Sequence, residues 1–156
     1  MAIMRALIAA AIFLILCVSV QAQTLTECGK SDGYAYYFVG GVVPADKGGW
    51  QRDGITGGRI ILNYINGEID LLIKSATGTT ASVKQDGGKI IPRQTSNGLI
   101  ALTVFYEYEG KIVTTEDYAF QLDNRGDGTV AWTGIRTASN KINKMSLMTA
   151  QCRGPR

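Results

Sequence analysis

The 156-residue sequence contains no histidine, and only three prolines and three cysteines. The missing imidazole excludes Ser-His-Asp and Cys-His catalysis, histidine-ligated zinc and any histidine-based pH switch. Each of these needs a group that titrates near neutrality or an imidazole nitrogen as ligand. A basic stripe is missing as well. The formal net charge is only +3, whereas a nucleic-acid-binding domain clusters Lys and Arg on one face, so no nucleic-acid partner is expected. Beyond the first 22 residues no apolar run has the 3.6-residue spacing of an amphipathic helix, and there is no internal repeat, linker or low-complexity stretch. Carboxylate chemistry and plain binding are what remain.

Residues 1–22, MAIMRALIAAAIFLILCVSVQA, carry one cation, Arg5, then an apolar run from Ala6 to Val18, and end on Val20-Gln21-Ala22. This is the layout of a secretory signal with compact residues at the two positions a leader peptidase reads. The run is shorter than the roughly 20 residues a spanning helix needs. The expectation is an exported chain, periplasmic or secreted, with one mature domain over residues 23–156 and no transmembrane anchor after cleavage. An uncleaved anchor is the rival reading. Cleavage removes Arg5 and Cys17, so the charge falls from +3 to +2 and two cysteines remain. Cys28 and Cys152, near opposite ends of the mature chain in an oxidising setting, are expected to form a disulfide.

None of the 19 glycines lies in residues 1–22, so the mature chain is rich in turn residues. Gly40-Gly41, Gly48-Gly49, Gly57-Gly58, Asn66-Gly67, Asn97-Gly98, Glu109-Gly110 and Gly126-Asp127-Gly128 punctuate short runs of β-branched and aromatic residues. Turn signals at this spacing predict an antiparallel all-β domain. Nine strands are read near 33–39, 58–65, 68–74, 79–85, 89–93, 99–107, 111–122, 129–136 and 143–151. Pro92 lacks an N–H donor and assigns its strand to an edge. Consecutive hairpins form a meander, and a meander of about eight strands closes most simply into an up-and-down β-barrel; a two-sheet β-sandwich is the alternative.

Residues paired across a hairpin point to the same face, so register tests this reading. A two-residue turn at Asn66-Gly67 sets Tyr64 against Ile69, Leu62 against Leu71 and Ile60 against Ile73, with Arg59, Asn63, Glu68, Asp70 and Lys74 on the solvated side. At Glu109-Gly110 a two-residue loop would turn the apolar set of the next strand the wrong way. A three-residue loop, Tyr108 to Gly110, repairs the parity and pairs Tyr106 with Ile112 and Ile100 with Tyr118. The same parity pairs Phe120 with Trp132 and Glu116 with Arg136, an interior ion pair. Such a pair either orients a polar ligand or merely avoids an unpaired buried charge.

Tyr34, Tyr36 and Phe38 share one strand face, and Trp50, Tyr106 and Tyr108 would extend it. Tyr34, Tyr36, Trp50 and Tyr106 are therefore the candidate ligand-binding residues, against the alternative that these rings fill the barrel core. Counted from Asp123, a calcium loop would have Arg125 at its third position and Gly134 at its twelfth, where oxygen ligands belong, so the stretch Asp123 to Thr129 reads as a turn. Neither metal nor cofactor is expected. No catalytic residue is assigned, because Asp32, Asp53, Asp70, Asp86 and Asp117 stand beside glycine or on faces expected to be wet.

The order Gly48-Gly49-Trp50, Glu116-Asp117-Tyr118 and Arg136 is similar to the G-x-W, T-D-Y and arginine marks of lipocalins, although Glu replaces Thr and a strand precedes Trp50. This resemblance implies a barrel. More broadly, CGKSDGYAYYFVGG after a signal, then GWQRDGI, EIDLLIK and a late Cys152, resembles small exported proteins of Gram-negative bacteria that have no assigned function, and implies no active residues. The functional expectation is a non-enzymatic small-ligand-binding or envelope-associated module, its partner a small apolar or sugar-like ligand or an envelope protein. The alternatives are an inhibitor or interaction domain presenting the loop Asp123 to Thr129 or Pro44 to Asp53, and a carboxylate-based hydrolase.

Overall fold

Asn66 and Gly67 both adopt positive φ, 52° and 87°, which is the backbone of a two-residue turn matched to strand twist. Around it Tyr64 faces Ile69, Leu62 faces Leu71 and Ile60 faces Ile73, the register expected from the apolar pattern. Asn63 and Asp70, expected on a wet face, are buried instead. Asp70 accepts a hydrogen bond from the Ser82 hydroxyl at 2.7 Å.

The computed structural model describes residues 22–137 and 142–156, and the secretory signal read over 1–22 lies, apart from Ala22, outside them. The strands are β1 (Ala22–Tyr37), β2 (Gly49–Ile65), β3 (Glu68–Lys74), β4 (Thr80–Ser82), β5 (Lys89–Ser96), β6 (Leu99–Tyr108), β7 (Lys111–Leu122), β8 (Gly128–Arg136) and β9 (Lys144–Arg153). They form a single antiparallel sheet in the order β4-β3-β2-β1-β9-β8-β7-β6-β5. Every strand lies beside its neighbours in the chain except at one point. The first and last strands pair with each other, and the consecutive strands β4 and β5 are left as the two free edges. The sheet curls into an up-and-down half-barrel with its seam between those edges, so the meander reading holds. Pro92 sits in edge strand β5, as its missing donor predicts, beside a register shift between Pro92 and Gln94.

The interior face carries the core. Phe120, Leu62, Leu71, Leu102, Val104 and Val130 are fully buried there. Cys28 and Cys152 are buried partners on the β1–β9 ladder and form the expected disulfide, with Cα atoms 3.9 Å apart. At the far end the Thr26 hydroxyl lies 2.7 Å from Gly126 O and 3.1 Å from Arg153 O, tying the β7–β8 turn to the chain's last strand.

Strands β1 and β2 start well before the residues expected of them. Their additional stretches are polar or glycine-rich and lack strand propensity, and long-range pairing alone extends them: Glu27 and Cys28 lie opposite Ile61 and Ile60, and Asp32 to Tyr36 opposite Gly54 to Trp50. Between these two blocks the register shifts, with Lys30 at φ 50°. Since β3 ends at Lys74 opposite Arg59, the outer half of the β1–β2 hairpin extends past it with no neighbour on the β2 side.

The extra residue that parity demands near Glu109 is present, but not in the loop. Glu109 and Gly110 (φ 51° and 73°) make a two-residue turn, and the surplus is a bulge in β7 between the pairs Glu107–Ile112 and Tyr106–Thr114. Ile100 consequently faces Phe120, not Tyr118. The β7–β8 turn closes by a 2.8 Å bond from Asp123 N to Asp127 O, so Phe120 faces Val130 and Tyr118 faces Trp132. Each pair is displaced by two from expectation. Two residues restore the same face, which is why the inward set from Thr114 onward is unchanged, whereas Ile112, on the turn side of the bulge, stands opposite Glu107 and not Tyr106.

Candidate functional site

At the end of the half-barrel where the β6–β7 turn lies, the interior opens into a cavity of about 1330 Å³. Its floor is apolar, with Ile60, Ala150 and Cys28 beside the rings of Tyr118 and Trp132. The floor is stiff because Tyr118 stacks between Phe120 and Trp132, at centroid distances of 6.1 and 5.9 Å and interplanar angles of 16°. Alternation along β7 and β8 puts these rings inward. Ile73 and Tyr106 add wall, and Lys30, Lys74, Lys111 and Arg136 bring cations to the lining.

One polar device reaches the floor. The Tyr118 hydroxyl donates to Glu116 Oε2 at 2.6 Å, both side chains standing on the inner face of β7. Burial, and then the charge and hydrogen bond of Glu116, push the Tyr118 phenol well above its ordinary value. Burial, followed by the charges of Glu116, Asp86 and Asp70, pushes Tyr106 in the same direction. Both phenols are therefore neutral donors at ordinary pH.

Glu116 and Arg136 both line the cavity, but they are not opposite each other. Glu116 faces Gly134 and Arg136 faces Thr114. Among the described residues no ion pair joins them, and Glu116 takes the Tyr118 hydroxyl as its partner.

The aromatic candidates divide between the two faces of the sheet. Tyr106 lines the cavity. Tyr34, Tyr36 and Trp50 lie on the outer face, because Ala35, between the tyrosines, is the buried residue and Gly33 packs on Met148. Tyr36 makes edge contacts with Phe38 at 5.1 Å and Trp50 at 5.5 Å. Trp50 thus stands on the face opposite to Tyr118 and Arg136. The cavity rings missed as site residues are Tyr118 and Trp132, although the inward parity of β7 and β8 already aligned them.

Of the acids weighed for hydrolysis, Asp32, Asp53, Asp70 and Asp117 have partners of their own, while Asp86 lies in the cavity lining. Asp32 pairs with Arg52 at 2.7 Å, and Asp117 with Arg93 at 3.0 Å. Asp53 accepts from Lys144 at 2.8 Å and sits beneath the Tyr37 hydroxyl. Burial works against its charge, but Lys144, the Gly54 N–H and Tyr37 outweigh it and hold the carboxyl below the usual range. In the β7–β8 turn Asp123 Oδ1 accepts the N–H groups of Arg125 and Asp127 at 2.8 and 3.0 Å, a self-contained turn. Among the described residues no group of three or more Cys, Asp or Glu is arranged to hold a metal ion. Nor is any helix among them long and apolar enough to cross a membrane.

Comparison with protein-family models, with curated proteins and with solved structures finds no match for the chain.

Proposed function

We propose that this is an exported, non-enzymatic binding protein that holds a small, largely apolar ligand in the open end of its half-barrel. The observation that carries this reading is the cavity of about 1330 Å³ with an aromatic floor, Tyr118 and Trp132, beneath a charged lining. Ligand sites are concave, mostly apolar and equipped with a few polar groups that orient the guest. Here the Glu116–Tyr118 pair and Arg136 are those groups. Export is supported by the signal-like first 22 residues and by a disulfide closing the two ends of the domain.

The test uses the two tryptophans. In Trp50→Phe the sole emitter is Trp132, which lines the cavity. Titration with anilinonaphthalene sulfonate should quench Trp132 saturably, and displacement by long-chain fatty acids or by aryl glycosides should relieve that quenching. Ala81→Phe in the same background, which fills the cavity from β4 without adding a tryptophan, should abolish that response. A Trp132 emission that no probe changes would remove the reading.

A further inference from the structure

We propose that the outer half of the β1–β2 hairpin is a membrane-docking arm whose tip enters the surface of an uncharged, zwitterionic lipid bilayer. This inference concerns the outer face of the sheet and does not depend on what the cavity holds.

The stretch Gly33 to Ala45, GYAYYFVGGVVPA, contains no charged side chain. Its tip, Val39-Gly40-Gly41-Val42, presents two valines that are 60% and 64% exposed. No side chain at the tip can form a hydrogen bond, so nothing there suits a polar protein surface. Part of the backbone around the tip is satisfied internally. Gly40 N donates to Val43 O at 3.0 Å, Val43 N to Gly40 O at 3.1 Å, and Phe38 N to Asn143 O at 3.1 Å. In hydrocarbon every unpaired N–H or C=O is costly, so the tip enters only as far as the hydrated headgroup boundary, where water serves the backbone of Val39, Gly41 and Val42.

Below the tip, chemistry changes in the order that a bilayer changes. Phe38, Tyr36 and Trp50 come first, with Tyr36 directly opposite Trp50. Trp50 is 61% exposed and Tyr34, one row lower, 58%. Tyrosine and tryptophan suit the headgroup level because each has an apolar body and a polar edge. In that lower row Tyr34 faces Arg52, which pairs with Asp32 at 2.7 Å. Hydrocarbon-like, interfacial and ionic layers thus follow one another from Val39 to Asp32, a span of roughly 20 Å at the usual strand rise. On the same outer face β9 and β8 extend the aromatic row with Met145 and Ile135, both exposed, opposite Tyr36 and Met145 respectively.

The charges of the arm cancel locally. Besides Arg52 and Asp32, Lys47 pairs with Asp46 at 3.7 Å, and on the inner face Lys144 pairs with Asp53 at 2.8 Å. Such an arm has little field with which to seek anionic lipid. Its attraction is apolar burial, and that is insensitive to salt.

The experiment uses the full mature protein with phosphatidylcholine vesicles, plain or with brominated acyl chains. The expected result is co-sedimentation, a blue shift and bromine quenching of tryptophan emission, and an affinity that changes less than about twofold between about 0.1 and 1 M salt. Val39→Asp with Val42→Asp should weaken binding at least tenfold while leaving the melting temperature unchanged, since both side chains are exposed. Trp50→Phe should keep binding and lose the bromine quenching, because Trp132 is buried. The proposal is overturned by any of four results: no co-sedimentation, binding only to anionic vesicles and lost in salt, quenching that survives in Trp50→Phe, or a lipid-free dimer that the paired valine substitutions dissociate.

Discussion

Cys28 of the first strand stands directly opposite Cys152 of the last, and both sulfurs are buried in the core. The bridge therefore locks the one ladder that joins the two ends of the chain, across a separation of 124 residues. In the chain-entropy estimate a loop of that size contributes up to roughly 4 to 5 kcal/mol. The paired substitution Cys28→Ala with Cys152→Ala should lower stability by about 3 to 5 kcal/mol, measured as the urea midpoint of the oxidised protein against the variant. An unchanged midpoint would mean that the β1–β9 ladder holds without its staple.

Stability should fall at alkaline pH. The Tyr118 phenol is held protonated in the fold, whereas an unfolded tyrosine ionises near about 10. The contribution is therefore complete below about pH 10 and is lost as pH rises from there towards the folded value. Tyr118→Phe should reduce the alkaline slope and, by stripping Glu116 of its donor, cost roughly 1 to 2 kcal/mol at neutral pH. Denaturation midpoints of wild type and variant between about pH 8 and 11 check both parts.

At the acid end Asp53 has the opposite sign. Its carboxyl is held below the usual range, so the stability it contributes is present above the unfolded value of about 4 and disappears as pH falls through the folded one. Asp53→Asn should flatten that part of the pH–stability curve and cost about 1 kcal/mol at neutral pH, because the Lys144 pair is only partly shielded from water. Asp32 and Asp123 are lowered in the same direction but fully exposed, and their substitution should move the curve much less.

Gly33 has no room for a side chain. A Cβ there would overlap the Leu147 carbonyl oxygen and lie 2.8 Å from Met148 Cα, both backbone atoms of the neighbouring strand. Gly33→Ala should destabilise the domain by roughly 2 to 3 kcal/mol, read as a lowered melting temperature, since only a displacement of β9 relieves the overlap. Normal stability in this variant would show that the β1–β9 spacing adjusts freely.

What was legible in the sequence was parity. The Asn66-Gly67 hairpin followed to the residue because its turn and its alternation agree, and the inward set of β6 to β8 followed because a displacement by two preserves the face. Partner identity was less legible. A surplus residue sits equally well in a loop or in a bulge, which displaced the β6–β7 pairs, and the β7–β8 turn closes early, at Asp123 to Asp127, which separated Glu116 from the position opposite Arg136. The outer location of Tyr34, Tyr36 and Trp50 was hidden for another reason. Their run alternates rings with Ala35 and Tyr37, and only long-range pairing with β9 decides which of the two sets meets the core.

The pairing of β1 with β9 also orders events in time. Hairpins such as β2–β3 and β6–β7 need only nearby residues, but β1 lacks one of its two neighbours until residues 144–153 have been synthesised. Until then the sheet is incomplete and Cys28 lacks Cys152, its native partner. Closure of that last ladder, the pairing of greatest sequence separation, carries the largest loop-closure entropy of the sheet.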